Sequence, residues 1–121
     1  MITEGQIVLF KFPRTNQIEG KLRPALVIRQ LPDQRNDWLI CMISSQIHQA
    51  IPGFDEVITP NDPDFEQSGL KLPSVVRISR LAVIDKSILL GRLGQIDAIR
   101  ISNIRKNSRT GYKTHKVEKM F

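Results

Sequence analysis

The chain has a single cysteine, Cys41, among its 121 residues. It can close no internal disulfide and cannot build a cysteine-rich zinc site. Its apolar runs last only a few residues, well short of the roughly 20 that a membrane-crossing helix needs. No membrane is therefore expected among its partners. The opening segment MITEGQIVLF lacks the basic-then-apolar form of a secretory leader. His48 and His115 are the two histidines, far apart and with no Glu at helical spacing beside either, which argues against a catalytic zinc. There is no GxGxxG or GxxxxGK[ST] loop to cradle a nucleotide cofactor, and no GxSxG nucleophile elbow. Cys41 lies between Leu39-Ile40 and Met42-Ile43, where apolar burial would raise its pKa and leave it a structural thiol. These absences predict a cytoplasmic protein whose chemistry, if it has any, uses no metal, cofactor or thiolate.

What is present is ordinary in amount and uneven in distribution. Hydrophobic residues make up 40% and charged residues 25%, proportions of a folded chain, and the length suits one domain spanning 1–121. The net charge of +6 is not spread along it. Residues 1–99 balance 11 basic against 11 acidic side chains, whereas residues 100–121 hold seven Lys or Arg against Glu118 alone. A basic tail from about residue 105 would favour polyanions through phosphate neutralisation without selecting a sequence. A solvated terminus that keeps the protein soluble is the plainer alternative.

The apolar pattern is that of strands. QIVLFKF (6–12), LRPALVIRQ (22–30), WLICMI (38–43) and SVVRISRLAVI (74–84) read as strands, with PGFDEVIT and DKSILLGRLG giving two shorter ones. The second and third are apolar on both faces. In the fifth, Val76 and Ile78 point to one face, Arg77 and Ser79 to the other. SSQIHQA suits a single helical turn, and the proline-rich PNDPDFEQSGLKLP a long loop. From Gln95 to about Ser108 a helix is expected, its isoleucines 96, 99, 101 and 104 covering a broad arc. One late helix leaves the first three strands without parallel crossovers, so the sheet must be antiparallel. The fold class that follows is mainly β, a small bent sheet or barrel with a C-terminal helix.

Polar chemistry then concentrates at strand ends and in loops. Arg23 precedes Pro24 at the start of a buried strand, so its backbone is held extended. Ser44 and Ser45 stand where the third strand leaves the core, and Arg77 is a charge within an apolar strand. Arg14, Lys21 and Lys71 occupy adjoining loops. Guanidinium groups bind phosphate through two donors at once, and a neighbouring hydroxyl adds a third. Taken singly, each of these residues also fits a surface ion pair or a strand end.

Their order is more specific. GQIVLFKFP, GKLRPALVI, a strand ending MISS, SGLKLPSVVRISRLAVIDKSIL and GRLGQI together resemble the MazF/PemK family of bacterial type II toxins, from about Gly5 to about Ile96. The resemblance implies an SH3-like, CcdB-like antiparallel barrel with a C-terminal helix, usually a homodimer. It also implies a metal-independent endoribonuclease that cleaves single-stranded RNA sequence-selectively and is held in check by a cognate antitoxin protein. On that resemblance the catalytic pair is Arg23, from the RP dipeptide, with Ser44, where threonine is commoner. Arg14, Lys21, Ser45, Gln46, Lys71 and Arg77 are then expected to bind RNA. In the Kid branch an arginine matching Arg77 is followed by an acid, but here Ser79 stands at that place, which favours Arg23 with Ser44. His48, four residues after Ser44, is a candidate proton carrier or a solvated loop histidine. Two other classes stay open: a gyrase poison resembling CcdB, and a relative that binds RNA without cutting it.

Overall fold

Three stretches of apolar residues form β1 (Gln6–Lys11), β2 (Leu22–Gln30) and β3 (Asp37–Ser44), laid side by side and antiparallel. The structure is a computed structural model describing the backbone of residues 2–11, 22–32, 36–114 and 118–120, and side chains as far as residue 107. After β3 come a 3-10 turn (Ile47–Gln49), β4 (Glu56–Ile58), α1 (Phe65–Ser68), β5 (Ser74–Asp85), a second 3-10 turn (Lys86–Ile88), β6 (Leu89–Gln95), α2 (Ala98–Thr114) and β7 (Glu118–Met120). The strand order is β4-β5-β3-β2-β1-β6, with every pair antiparallel and β7 alone running parallel to β5 along Ala82–Ile84.

The double-sided apolar character of β2 and β3 has a direct cause. Alternate residues of a strand face opposite sides, and each face of this bent sheet carries its own core. Ile7, Leu26, Ile28, Leu39, Cys41 and Ile43 fill one, together with Val76, Ile78 and Leu81. Val8, Phe10, Ala25, Val27, Trp38 and Ile40 fill the other, with Ala82 and Ile84. The helix closes the first: Ile104 is fully buried and Ile101 packs against it, whereas Ile99 is 75% exposed. Only part of the predicted isoleucine arc therefore faces the sheet.

Four details depart from the sequence expectation. The fourth strand is shorter, because the turn Ile51–Asp55 takes up its first half. The proline-rich loop contains α1, ended by Gly69 in the left-handed conformation that spares glycine a Cβ clash. The late helix starts three residues later than expected, where Asp97 accepts from the Arg100 amide at 2.8 Å, and it extends to Thr114. β7 had no forecast. The end of α1 lies directly on β6, so close that a Cβ at Gly94 would collide with the Gln67 carbonyl.

Two polar clusters tie these pieces down. Arg100, on the first turn of α2, reaches back across the chain. Its Nε donates to Asp64 at 2.8 Å and its Nη2 to the other oxygen at 3.2 Å, while Nη1 meets Glu56 and the Val57 carbonyl, each at 3.3 Å. Asp62 lies 3.5 Å away. Burial alone would raise the Asp64 carboxyl, but hydrogen bonds from Arg100 and the Asp97 amide, with the Arg100 charge, outweigh it and hold it below the usual range. Glu56 goes the other way: burial and the neighbouring Asp62 and Asp64 raise it more than Arg100 lowers it. The second cluster centres on Asp55, only 9% exposed. Its carboxylate accepts from the amides of Ile51 and Ser79, each at 3.0 Å, and from the Ser79 hydroxyl at 3.3 Å. That carboxylate pins the 51–55 turn to an irregular stretch of β5.

Asp64, ionised more readily folded than unfolded, stabilises the fold above an unfolded carboxyl pKa of ~3.9 and loses that contribution as pH falls through its lower folded value. Glu56 opposes it, so the informative comparison is with Asp64→Asn. The difference in unfolding free energy between the two proteins should narrow as pH falls from about 6 to about 3; a pH-independent difference would contradict the network. Asp55→Ala strands two amides and a hydroxyl, and urea denaturation should register a loss of about 1–3 kcal/mol. A change too small to measure would mean that the clamp does not stabilise the fold.

Candidate functional site

The registered pairing of β2 with β3 begins at Ala25↔Met42, immediately after Pro24, a residue with no N–H to offer. Arg23 and Ser44 lie two residues beyond that last pair, at alternate positions from Ala25 and Met42. The β2–β3 pairing has ended there, and two clefts open, each lined by both residues.

The first cleft, of about 430 Å³, has Arg23, Ser44, Ser45, Gln46, Lys71 and Ser74 as its polar lining, and Leu22, Leu70, Leu72 and Leu93 are among its apolar residues. Its far wall is the segment after α1, which owes its position to the glycine contact with β6. Leu22 and Leu72 are exposed at 52% and 60%, a large apolar area for the rim of a charged cleft. The second, of about 390 Å³, is lined by Arg23, Met42, Ile43, Ser44, Gln46, Gln49, Arg77 and Arg80. Arg23, Ile43, Ser44 and Gln46 belong to both. Ser44 accepts from the Gln46 amide at 3.0 Å, which orients its hydroxyl at the strand end and starts the turn carrying Gln46 and Gln49. Arg77 Nη1 donates to Gln49 Oε1 at 3.1 Å, while its Nε is buried and has no partner.

Six of the eight residues singled out from the sequence thus meet at one place: Arg23 and Ser44 at the junction, Ser45, Gln46 and Lys71 in the first cleft, Arg77 in the second. Arg14 and Lys21 lie outside the described residues. His48 is exposed on the 3-10 turn and lines neither cleft. Ser79, at the place where the Kid branch has an acid, donates its amide and hydroxyl to the carboxylate of Asp55 on the 51–55 turn. Cys41 is fully buried, and burial together with the Asp55 charge pushes its thiol well up, as expected of a structural thiol. The sequence reading missed Gln49, Arg80 and Asp55. Asp55 and Gln49 sit in segments read as plain strand and turn, and Arg80 should by simple alternation face away from Arg77.

The arrangement offers guanidinium and hydroxyl donors around an open, partly apolar channel, suited to a chain of negative charges carrying planar or apolar groups. Among the described residues no group of three or more His, Cys, Asp or Glu side chains could hold a metal ion. No helix among them is long and apolar enough to cross a membrane.

Comparison with known proteins gives the fold and family. The structure is similar to the Mycobacterium tuberculosis toxin MazF-mt6, with a TM-score of 0.60 at 16% identity, covering 89% of this chain and 96% of that one. It is similar to an endoribonuclease in complex with its cognate antitoxin from a mycobacterial species, with a TM-score of 0.63 at 14% identity over 96% and 99% of the two chains. A MazE-MazF structure from Deinococcus radiodurans gives 0.62 at 19% identity over 91% and 94%. No curated protein matches the chain by sequence. The profile of the PemK-like, MazF-like toxins of type II toxin-antitoxin systems matches residues 3–109. Nearly the whole described fold lies within that match, and the chain belongs to this family of toxins.

Proposed function

We propose that the protein is an endoribonuclease that cuts single-stranded RNA, mRNA above all, in the cytoplasm, with Arg23 and Ser44 acting on the scissile phosphate. The observation that carries this reading is the position of those two side chains at the junction of both clefts, so that a strand lying through the clefts crosses them. Ser45, Gln46, Lys71 and Arg77 line the path on either side and bind the strand in this reading.

The chemistry follows from RNA itself. The 2′-hydroxyl attacks the adjacent phosphorus in line, forming a 2′,3′-cyclic phosphate as the bond to the 5′-oxygen breaks and that oxygen leaves with a proton. The protein need supply no nucleophile. Its work is to hold the ribose and phosphate in the attacking geometry and to stabilise charge building on the phosphate oxygens. Arg23, exposed and always charged, does the second, and the Ser44 hydroxyl adds a neutral donor. A guanidinium holds its proton too tightly to serve as a general base, so electrostatic stabilisation carries most of the rate in this reading.

Two partners belong to the proposal. A cognate antitoxin is one, since the similar endoribonuclease and MazF structures are complexes with antitoxins. A second copy of the chain is the other. β6 ends the strand order, and a groove of about 480 Å³ lies beside it, where Ile2, Leu89 and Leu90 alternate with Gln6, Lys86 and Arg92, giving a homodimer a mixed apolar and polar surface to use.

Purified protein incubated in EDTA with a long single-stranded RNA should produce discrete fragments. Arg23→Ala should lower the rate by ~10²–10³, the usual cost of one transition-state donor, and leave the unfolding midpoint unchanged because Arg23 is exposed. Absence of cutting in every sequence context, or an undiminished Arg23→Ala rate, would overturn the proposal. Inhibition of gyrase supercoiling without RNA cutting would replace it with the gyrase-poison reading.

A further inference from the structure

In a regular strand, residues three apart face opposite sides. Arg77 and Arg80 are three apart on β5, yet both line the cleft beside Arg23. The cause is a break in the β3–β5 register. Met42 stands opposite Arg77 and Cys41 opposite Leu81, so Ile78, Ser79 and Arg80 have no counterparts on β3. Three extra residues reset the alternation. Leu81 turns with Cys41 into one core, and Arg80 falls on the Met42 face beside Arg77. The break is held at its middle residue, where the Asp55 carboxylate takes both the amide and the hydroxyl of Ser79.

The result is three guanidinium groups, Arg23, Arg77 and Arg80, around one cleft of about 390 Å³. None of the three pairs with a carboxylate of the described residues, in contrast to Arg100 and Arg105, each committed to acids. Arg77 keeps a buried Nε without a partner while Gln49 occupies its Nη1. Uncompensated like charges held together by the backbone are costly unless a polyanion joins them. The geometry points to Arg77 and Arg80 as a second phosphate site, binding the RNA phosphate next to the one held by Arg23 and Ser44, with the Asp55-clamped bulge as the device that makes it.

This assignment rests on the RNA-cleavage reading but separates from it in experiment. The probe is a random-sequence RNA oligonucleotide with 2′-fluoro on every ribose, which cannot undergo 2′-hydroxyl attack, titrated by fluorescence anisotropy across a salt series. Arg80→Ala should weaken binding about 5- to 20-fold at low salt and reduce the slope of log K against log salt by about 0.7, the value for one phosphate contact on a single strand. Arg80→Lys should restore the slope, keeping the charge, but only part of the affinity, lacking the two-donor fork. Arg29→Ala, which removes one exposed charge at the far end of β2 and lines neither cleft, serves as the control and should change both quantities less. An Arg80→Ala variant indistinguishable from Arg29→Ala would overturn the site, as would a wild-type protein that fails to bind at low salt. If polyglutamate competes as well as RNA with the same dependence on Arg80, the site is one for an acidic peptide and the phosphate assignment falls. Cleavage of ordinary RNA is scored separately. Binding with this Arg80 dependence but no cutting sinks the nuclease reading and leaves the site standing. Cutting with no Arg80 dependence in binding does the reverse.

Discussion

The register of β3 between its two neighbours is the constraint on which the rest of this protein depends. β3 is paired to β2 on one edge over Trp38–Met42 and to β5 on the other over Asp37–Ser44, and its side chains alternate between two cores. A slip by one residue would send every one of those side chains to the wrong face. The same register decides what stands at the open end of the sheet. It ends the β2–β3 pairing two residues short of Arg23 and Ser44 and sets Met42 opposite Arg77, so the polar cluster inherits its geometry from the apolar packing below it. The functional groups need only project from strand ends that the two cores have already fixed.

Polar interactions refine that scaffold at the places where strands cannot. Arg100 closes the gap between the first turn of α2 and the 56–64 segment through a two-point contact with Asp64, whose side chain is only 1% exposed. A buried ion pair adds little net stability compared with an apolar packing of the same volume. Its value here is positional, since the segment it holds leads through α1 to the Leu70–Leu72 wall of the first cleft. Asp55 acts in the same manner on the other side, fixing the bulge from which Arg80 projects. Each cleft therefore has one wall made by strand register and another held by a carboxylate.

How much of this the sequence reveals depends on how local the cause is. The strands and the double-sided burial of β2 and β3 follow from unbroken runs such as ALVI and LICMI, because burial is written directly in residue type, and the antiparallel pairing follows from the lack of helices to cross over. Arg23 and Ser44 flank such runs at the point where each leaves the core, but only the resemblance of the surrounding segments to the MazF/PemK family joins them as a pair. Arg80 was not identifiable, since the alternation rule places it opposite Arg77 and only a three-residue register break, visible in space, reverses that. Asp55 was hidden likewise, its partner Ser79 lying 24 residues away. The basic count of the C-terminal segment overstated its freedom: Arg100 and Arg105 are spent on Asp64 and Glu4 within the body of the protein.

In the proposed reaction the protein contributes placement and charge, and the substrate contributes the nucleophile. That division of labour is also the account's most exposed point. The direct measurement uses an RNA with one mapped cut, resynthesised with a single 2′-deoxy nucleotide on the 5′ side of that linkage. The account predicts that this cut vanishes while cuts elsewhere persist, and that the unmodified RNA yields 2′,3′-cyclic phosphate and 5′-hydroxyl ends. Continued cutting at the deoxy linkage, or 5′-phosphate ends, would contradict it.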